Sequence, residues 1–161
     1  MAEKKRGPLG FLSAASFPYR RKSLLSPTEL EFYNVLKLAV GDRFLILLKL
    51  DLRDLCEITH RDVNQAAFNR VADEKMDFVL CDQATLAPVV AIELDDSTLY
   101  PRDRAERDTF MKELFRVIGV ALIHQRVQVG YDPAAIARWV DAAVARSGVA
   151  PQSPKPLRPA S

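Results

Sequence analysis

The stretch that most constrains this chain runs from Met76 to Asp96, MDFVLCDQATLAPVVAIELDD. Two apolar runs, Phe78-Val79-Leu80 and Val89-Val90-Ala91-Ile92, flank a short polar segment, which predicts two buried β-strands joined by a tight connection. Each run also carries acid: Asp77 on the first, Glu93 and Asp95 on the second. A carboxylate inside a buried strand is costly unless it is paired or binds a cation. Strand alternation puts Glu93 and Asp95 on one face, and Asp77 can converge with them if the strands are neighbours. Such an oxygen-rich cluster suits a hard cation, Mg²⁺ or Mn²⁺. Plainer roles exist for the same residues: Asp77 can cap its strand or pair with an Arg, and Asp95 with Asp96 can open a turn.

The elements around this pair alternate in type. Ser26-Pro27-Thr28-Glu29 has Ser at the N-cap, Pro at the first helical position and Glu placed for a capping box, so a helix runs to about Val40 and ends at Gly41. Phe44–Leu50 is a short apolar strand, and residues 62 to about 72 form a helix inside an otherwise ambiguous insertion. Pro101-Arg102-Asp103 opens a helix to about Val117, with Phe110, Leu114 and Val117 on one side. Val120–Ile123 is another buried strand, extendable through His124 and Gln125. Tyr131-Asp132-Pro133 then starts an amphipathic helix that closes at Gly148. The order is helix, strand, partly helical insertion, strand, strand, helix, strand, helix. It predicts an α/β sheet with helices on both faces.

Charge divides the chain into three. Residues 1–22 form a basic arm of net +5, and the Pro-rich tail from 150 to 161 carries +2. Residues 23–149, the α/β domain, are acidic enough to bring the whole chain to +2. Basic arms on an acidic core suit a phosphate-backbone partner, although solvated chain ends have the same composition. At 161 residues, 48% apolar and 27% charged, the chain can build one core. No run reaches the roughly 18 apolar residues of a membrane span. Cys56 and Cys81 belong to no metal or redox spacing, so a reduced, cytoplasmic setting is the expectation.

With Asp77 on one strand and Glu93-Leu94-Asp95 on the next, the chain resembles the PD-(D/E)XK nuclease superfamily. More closely still, it resembles the bacterial family known as domain of unknown function 2726. The features that carry the resemblance are LLSPTELEFYNVL (24–36), Asn69-Arg70, Lys75 before MDFVLCD, AIELDDS (91–97), Asp103-Arg104 and Arg107-Asp108. It implies a restriction-endonuclease-like αβββαβ core, with a mixed central sheet flanked by helices. It also implies a Mg²⁺-dependent phosphodiesterase acting on nucleic acid, DNA in preference to RNA. Asp77 and Glu93 would bind the metal with the carbonyl of Leu94, and the metal would polarise the phosphate and activate water.

The chain departs from the superfamily pattern twice. Asp95 stands where the superfamily usually has Lys, so the missing cation must come from Lys75, on the same strand face as Asp77, or from Arg104 or Arg107; Asp95 becomes an auxiliary ligand. Relatives with the E-x-D form carry a His a few residues later, whereas Ser97-Thr98-Leu99-Tyr100 offers none and His124 is the candidate substitute. Glu29 is a further auxiliary candidate, though its capping role explains it equally well, and Lys75 is as well explained as a solvated strand-edge residue. Two readings follow: a Mg²⁺-dependent endonuclease-like hydrolase, or an inactive module of the same fold that binds nucleic acid or protein. A haloacid-dehalogenase-like phosphatase is excluded, because aligning Asp96 and Thr98 with its motif puts Leu94 at the nucleophile position.

Overall fold

In the computed structural model the described residues are 19–60, 62, 64–95 and 101–147, with only the backbone of 101–103. Most of the basic arm, Asp96 to Tyr100 and the Pro-rich tail lie outside them, so those expectations are not addressed. Helix α1 (Pro27–Val40) leads through a 3-10 turn (Gly41–Arg43) into β1 (Phe44–Asp51). Short helices α2 (Leu52–Leu55) and α3 (Gln65–Ala72) form the insertion. Then come β2 (Lys75–Asp82), β3 (Pro88–Asp95), α4 (Pro101–Ile118), β4 (Ala121–Arg126) and α5 (Pro133–Ser147). This is the expected order of elements. The insertion helix starts later than expected, at Gln65, and the last strand reaches Arg126.

The four strands form one mixed sheet in the order β1-β2-β3-β4, antiparallel through the first three and parallel between β3 and β4. A hairpin can join β2 to β3 because Asp82 organises the turn: its Oδ1 accepts from the amides of Ala84 and Thr85 and from the Thr85 hydroxyl. The parallel β3-β4 pair needs a crossover, which α4 supplies.

Both faces of the sheet are covered. Phe32, Leu36 and Val40 of α1 and Ile136, Val140 and Ala143 of α5 pack on Phe78, Leu80, Val90, Ile92 and Ile123. On the other face, Met111 and Phe115 of α4, with Leu52 and Val71, pack on Met76, Val79, Cys81 and Ala91. That sandwich explains why β2 and β3 read as nearly continuous apolar runs rather than alternating ones. Phe32 anchors the first layer, its ring edge-on to Tyr131 at 5.0 Å and tilted against Phe78 at 5.3 Å. No helix among the described residues is long and apolar enough to cross a membrane.

The capping box of α1 is complete: Ser26 Oγ accepts from the Glu29 amide at 3.3 Å, and Glu29 Oε2 accepts from the Ser26 amide at 2.8 Å. Ser26→Ala is expected to cost about 1 kcal/mol. In thermal melts Tm should fall by about 2–4 °C, whereas an unchanged Tm would mean that tertiary contacts alone hold the start of α1.

One backbone feature breaks the regularity of β1. Lys49 has a φ of 54°, in the left-handed region that a lysine adopts only at a cost of about 1–3 kcal/mol. The ladder with β2 runs through Leu48↔Phe78, skips one pair and resumes at Leu50↔Met76. Across that gap both strands change sides. Leu48 and Phe78 belong to the layer under α1 and α5, but Leu50 and Met76 belong to the layer under α4. Residues two apart in an unbroken strand would share a face. The inversion leaves Lys49 and Asp77 at the break, and it defines the open end of the sheet.

Candidate active site

The ends of β1, β3 and β4 and the start of β2 meet at one edge of the molecule, together with the N-terminal turns of α1 and α4. The ladder between β2 and β3 reaches Phe78↔Ile92. One step further, the Leu94 amide donates not to a backbone carbonyl but to Asp77 Oδ2, at 2.9 Å. A side chain thus closes the ladder where the backbones part.

Asp77 Oδ1 accepts from Lys49 Nζ at 2.7 Å, and the same ammonium group also donates to Glu29 Oε1. Glu29 therefore has two tasks: one oxygen caps α1 and the other reaches β1. Burial pulls the Lys49 pKa down, but the Asp77 and Glu29 carboxylates outweigh that and hold it above 10.5. Burial likewise pushes Glu29 up, yet Lys49 and the Ser26 amide leave it below its ordinary 4.5.

Glu93 has a separate set of partners. Its Oε1 meets Arg107 at 2.6 Å, and the Arg107 guanidinium also grips Glu74, just before β2, through three contacts of 2.8–3.1 Å. His124 lies opposite Glu93 in the parallel register and brings Nδ1 to 3.3 Å from Oε2. Beyond that contact, Oε2 has no hydrogen-bond partner among the described residues and is buried. Burial pushes the Glu93 pKa up, but His124 and Arg107 together bring it below 4.5. One helical turn earlier in α4, Arg104 pairs with Asp95.

The sequence-level expectations therefore divide. Glu93 and Asp95 share the α4 side, as strand alternation requires, and Arg104 and Arg107 reach the acidic strand. The expected meeting of Asp77, Glu93 and Asp95 at one point is not what the structure shows. Asp77 turns to Lys49, Glu93 to Arg107 and His124, and Asp95 to Arg104. Among the described residues no group of three acid, His or Cys side chains is placed to hold a metal. The physical reason is the break at Lys49 and Asp77, which turns Asp77 toward α1 while Glu93 and Asp95 face α4. Lys75 is also differently placed. It is exposed, in register with Asp51, and the cation on Asp77 is Lys49. The run FLILLKL hid Lys49 because it reads as a uniform apolar strand. A lone cation among leucines is nevertheless the same kind of anomaly as Glu93 after Val-Val-Ala-Ile, and it was visible in the sequence.

The charge balance bears on a cation. Lys49 is shared by two carboxylates, so its cluster carries one uncompensated negative charge among the described residues, while Arg107 is shared by two more with His124 beside Glu93. The clusters sit on either side of Leu94, whose amide binds Asp77 and whose neighbour is Glu93. The carboxylate oxygens on the two sides of Leu94 are hard donors of the kind Mg²⁺ takes, but among the described residues they form no three-donor group.

The pKa directions make a stability prediction. Glu29 and Glu93 titrate below 4.5 in the folded chain, so their contribution is complete above that pH and is lost as pH falls through the lower folded values. Lys49 titrates above 10.5, so its contribution is complete below that pH and is lost as pH rises through the higher folded value. Tm should be flat across neutral pH and drop on both limbs. Glu93→Gln should make the acid limb shallower, and an acid limb identical to the parent's would contradict the assignment.

No curated protein and no solved structure matches the chain. The family described as Protein of unknown function (DUF2726) matches residues 21–143, a span that takes in every residue of the two clusters, and the chain belongs to that family.

Proposed function

We propose that the chain is a Mg²⁺-dependent phosphodiester hydrolase acting on nucleic acid, built on the core of the PD-(D/E)XK nucleases. The observation that carries this reading is the pair of carboxylate clusters, each sharing one cation, on either side of Leu94. Asp77 and Glu93 would hold the metal, with the Leu94 carbonyl, and Asp95 would assist. The bound metal would supply Lewis acidity at the phosphate and lower the pKa of a water molecule. Lys49 supplies the cation that the E-x-D motif lacks. Lys49, held by Asp77 and Glu29, would stand beside the metal site, where its ammonium would offset the phosphate charge. Arg107 orients Glu93 through Oε1, and His124 stands against Oε2.

A second reading is favoured by one observation: every acid of the site already has a basic partner, and no three-donor group stands ready. On that reading the ion pairs are structural, and the domain binds nucleic acid or protein without cutting.

The purified full chain, incubated with single- and double-stranded DNA and RNA with and without Mg²⁺, separates the two. Metal-dependent cleavage supports the hydrolase, and binding with intact substrate supports the module. Mg²⁺ at about ten times its Kd should also stabilise the parent by about 1.4 kcal/mol, raising Tm by about 3–5 °C. Asp77→Asn and Glu93→Gln should lose that rise. A Tm indifferent to Mg²⁺ in all three proteins removes the metal from the proposal.

A further inference from the structure

The basic side chains at the open end of the sheet fall into two groups. Lys49, Arg53, Arg104 and Arg107 are each held by a carboxylate of the same end. Lys75, at the start of β2, and Arg126, at the end of β4, are exposed, and among the described residues neither side chain forms an ion pair. The first group is committed to acids, while the second has charge to offer a ligand.

Their placement is specific. β2 and β4 lie on the two sides of β3, the strand of Glu93 and Asp95, so the start of β2 at Lys75 and the end of β4 at Arg126 flank the end of that strand. Arg126 is in register with Asp95, at the level where the β2-β3 ladder has opened. Two strand spacings separate β2 from β4, on the order of 10 Å.

We propose that Lys75 and Arg126 grip the phosphates on either side of the one presented to Asp77 and Glu93, so that a polynucleotide strand crosses the strand ends from β2 to β4. This rests on the nucleic-acid reading above. Lys75 is then a backbone-gripping residue rather than the catalytic cation, and Arg126 is a substrate contact that no sequence motif marks. The contacts are to phosphate, so they position the strand without reading its bases.

Fluorescence anisotropy of labelled DNA tests this in a Glu93→Gln background with EDTA, which leaves the strand uncut. Affinity is followed from 50 to 200 mM salt. Each phosphate contact adds about 0.7–0.9 to the slope of log affinity against log salt. Lys75→Ala and Arg126→Ala should each lower the slope by about that amount, and the double variant by about twice as much. Arg126→Lys should keep the slope, which separates charge from packing. Lys112→Ala, near the opposite end of the sheet, should leave it unchanged. Parental slopes in the double variant overturn the inference and leave the nucleic-acid reading standing, because binding is still observed. No binding by either the parent or the Glu93→Gln protein overturns both.

Discussion

If the chain cleaves nucleic acid with Mg²⁺ as proposed, Lys49→Ala is expected to lower kcat by about 100-fold or more, the usual effect of removing one preorganised charge donor from a developing oxyanion. Asp77→Ala and Glu93→Ala should lose at least as much. Lys112→Ala, on α4 but away from the site, should stay within about twofold. The prediction rests on three facts. Lys49 is the group that touches Asp77, its backbone is held at a φ of 54°, and the same ammonium also reaches Glu29.

Lys49→Gly tests the backbone separately. Glycine adopts positive φ without penalty, so the glycine variant should be more stable than the alanine one while being equally inactive. The measurements are single-turnover cleavage rates and thermal melts on the same preparations. If Lys49→Ala cleaves like the parent, the lysine is only a structural counter-ion for Glu29 and Asp77.

Arg107→Met should be the most destabilising change at the site. The guanidinium neutralises both Glu74 and Glu93, and Glu93 lies deep enough that an unpaired charge there is poorly hydrated. Removing one partner of a buried pair costs about 3–5 kcal/mol. The Arg107 side chain keeps 22% of its surface exposed, which puts the expected loss at the lower end, about 3 kcal/mol, or about 6–12 °C in Tm. Adding Glu74→Gln and Glu93→Gln should recover much of it, since the cost comes from stranded charge rather than lost packing. A further outcome separates stability from metal binding. With Arg107 gone the cluster is more negative, so Mg²⁺ should raise Tm more in Arg107→Met than in the parent. An Mg²⁺ response equal to the parent's would place the cation elsewhere.

The two predictions concern different clusters, and their separation is what the structure adds. The element order, the double-sided sheet, the capped start of α1 and the acid-bearing strand pair were all legible in the chain, because each depends on local periodicity and local hydrogen bonding. Ser26 and Glu29 satisfy each other within one helical turn. Val89 to Ile92 are continuously apolar because helices cover both faces of the sheet. Glu93 and Asp95 share a side because a strand alternates with a period of two.

The partners of those acids could not be read in the same way. Alternation predicts a shared face only while the backbone stays extended, and at Lys49 it does not. The break in the ladder at Lys49 and Asp77 accompanies a change of side for Leu50 and Met76, and Asp77 is held by Lys49 apart from Glu93 and Asp95. Lys49, rather than Lys75, is thus the cation on Asp77. Arg107 was legible as a candidate cation, but its bridging of Glu74 to Glu93 joins residues far apart in sequence, and only the packing of α4 on the sheet sets that distance. The chain by itself determined the layers and the acidic content of β2 and β3. The tertiary structure decided which cation each acid holds, because ion pairing depends on distances of a few ångströms between elements that sequence spacing does not encode.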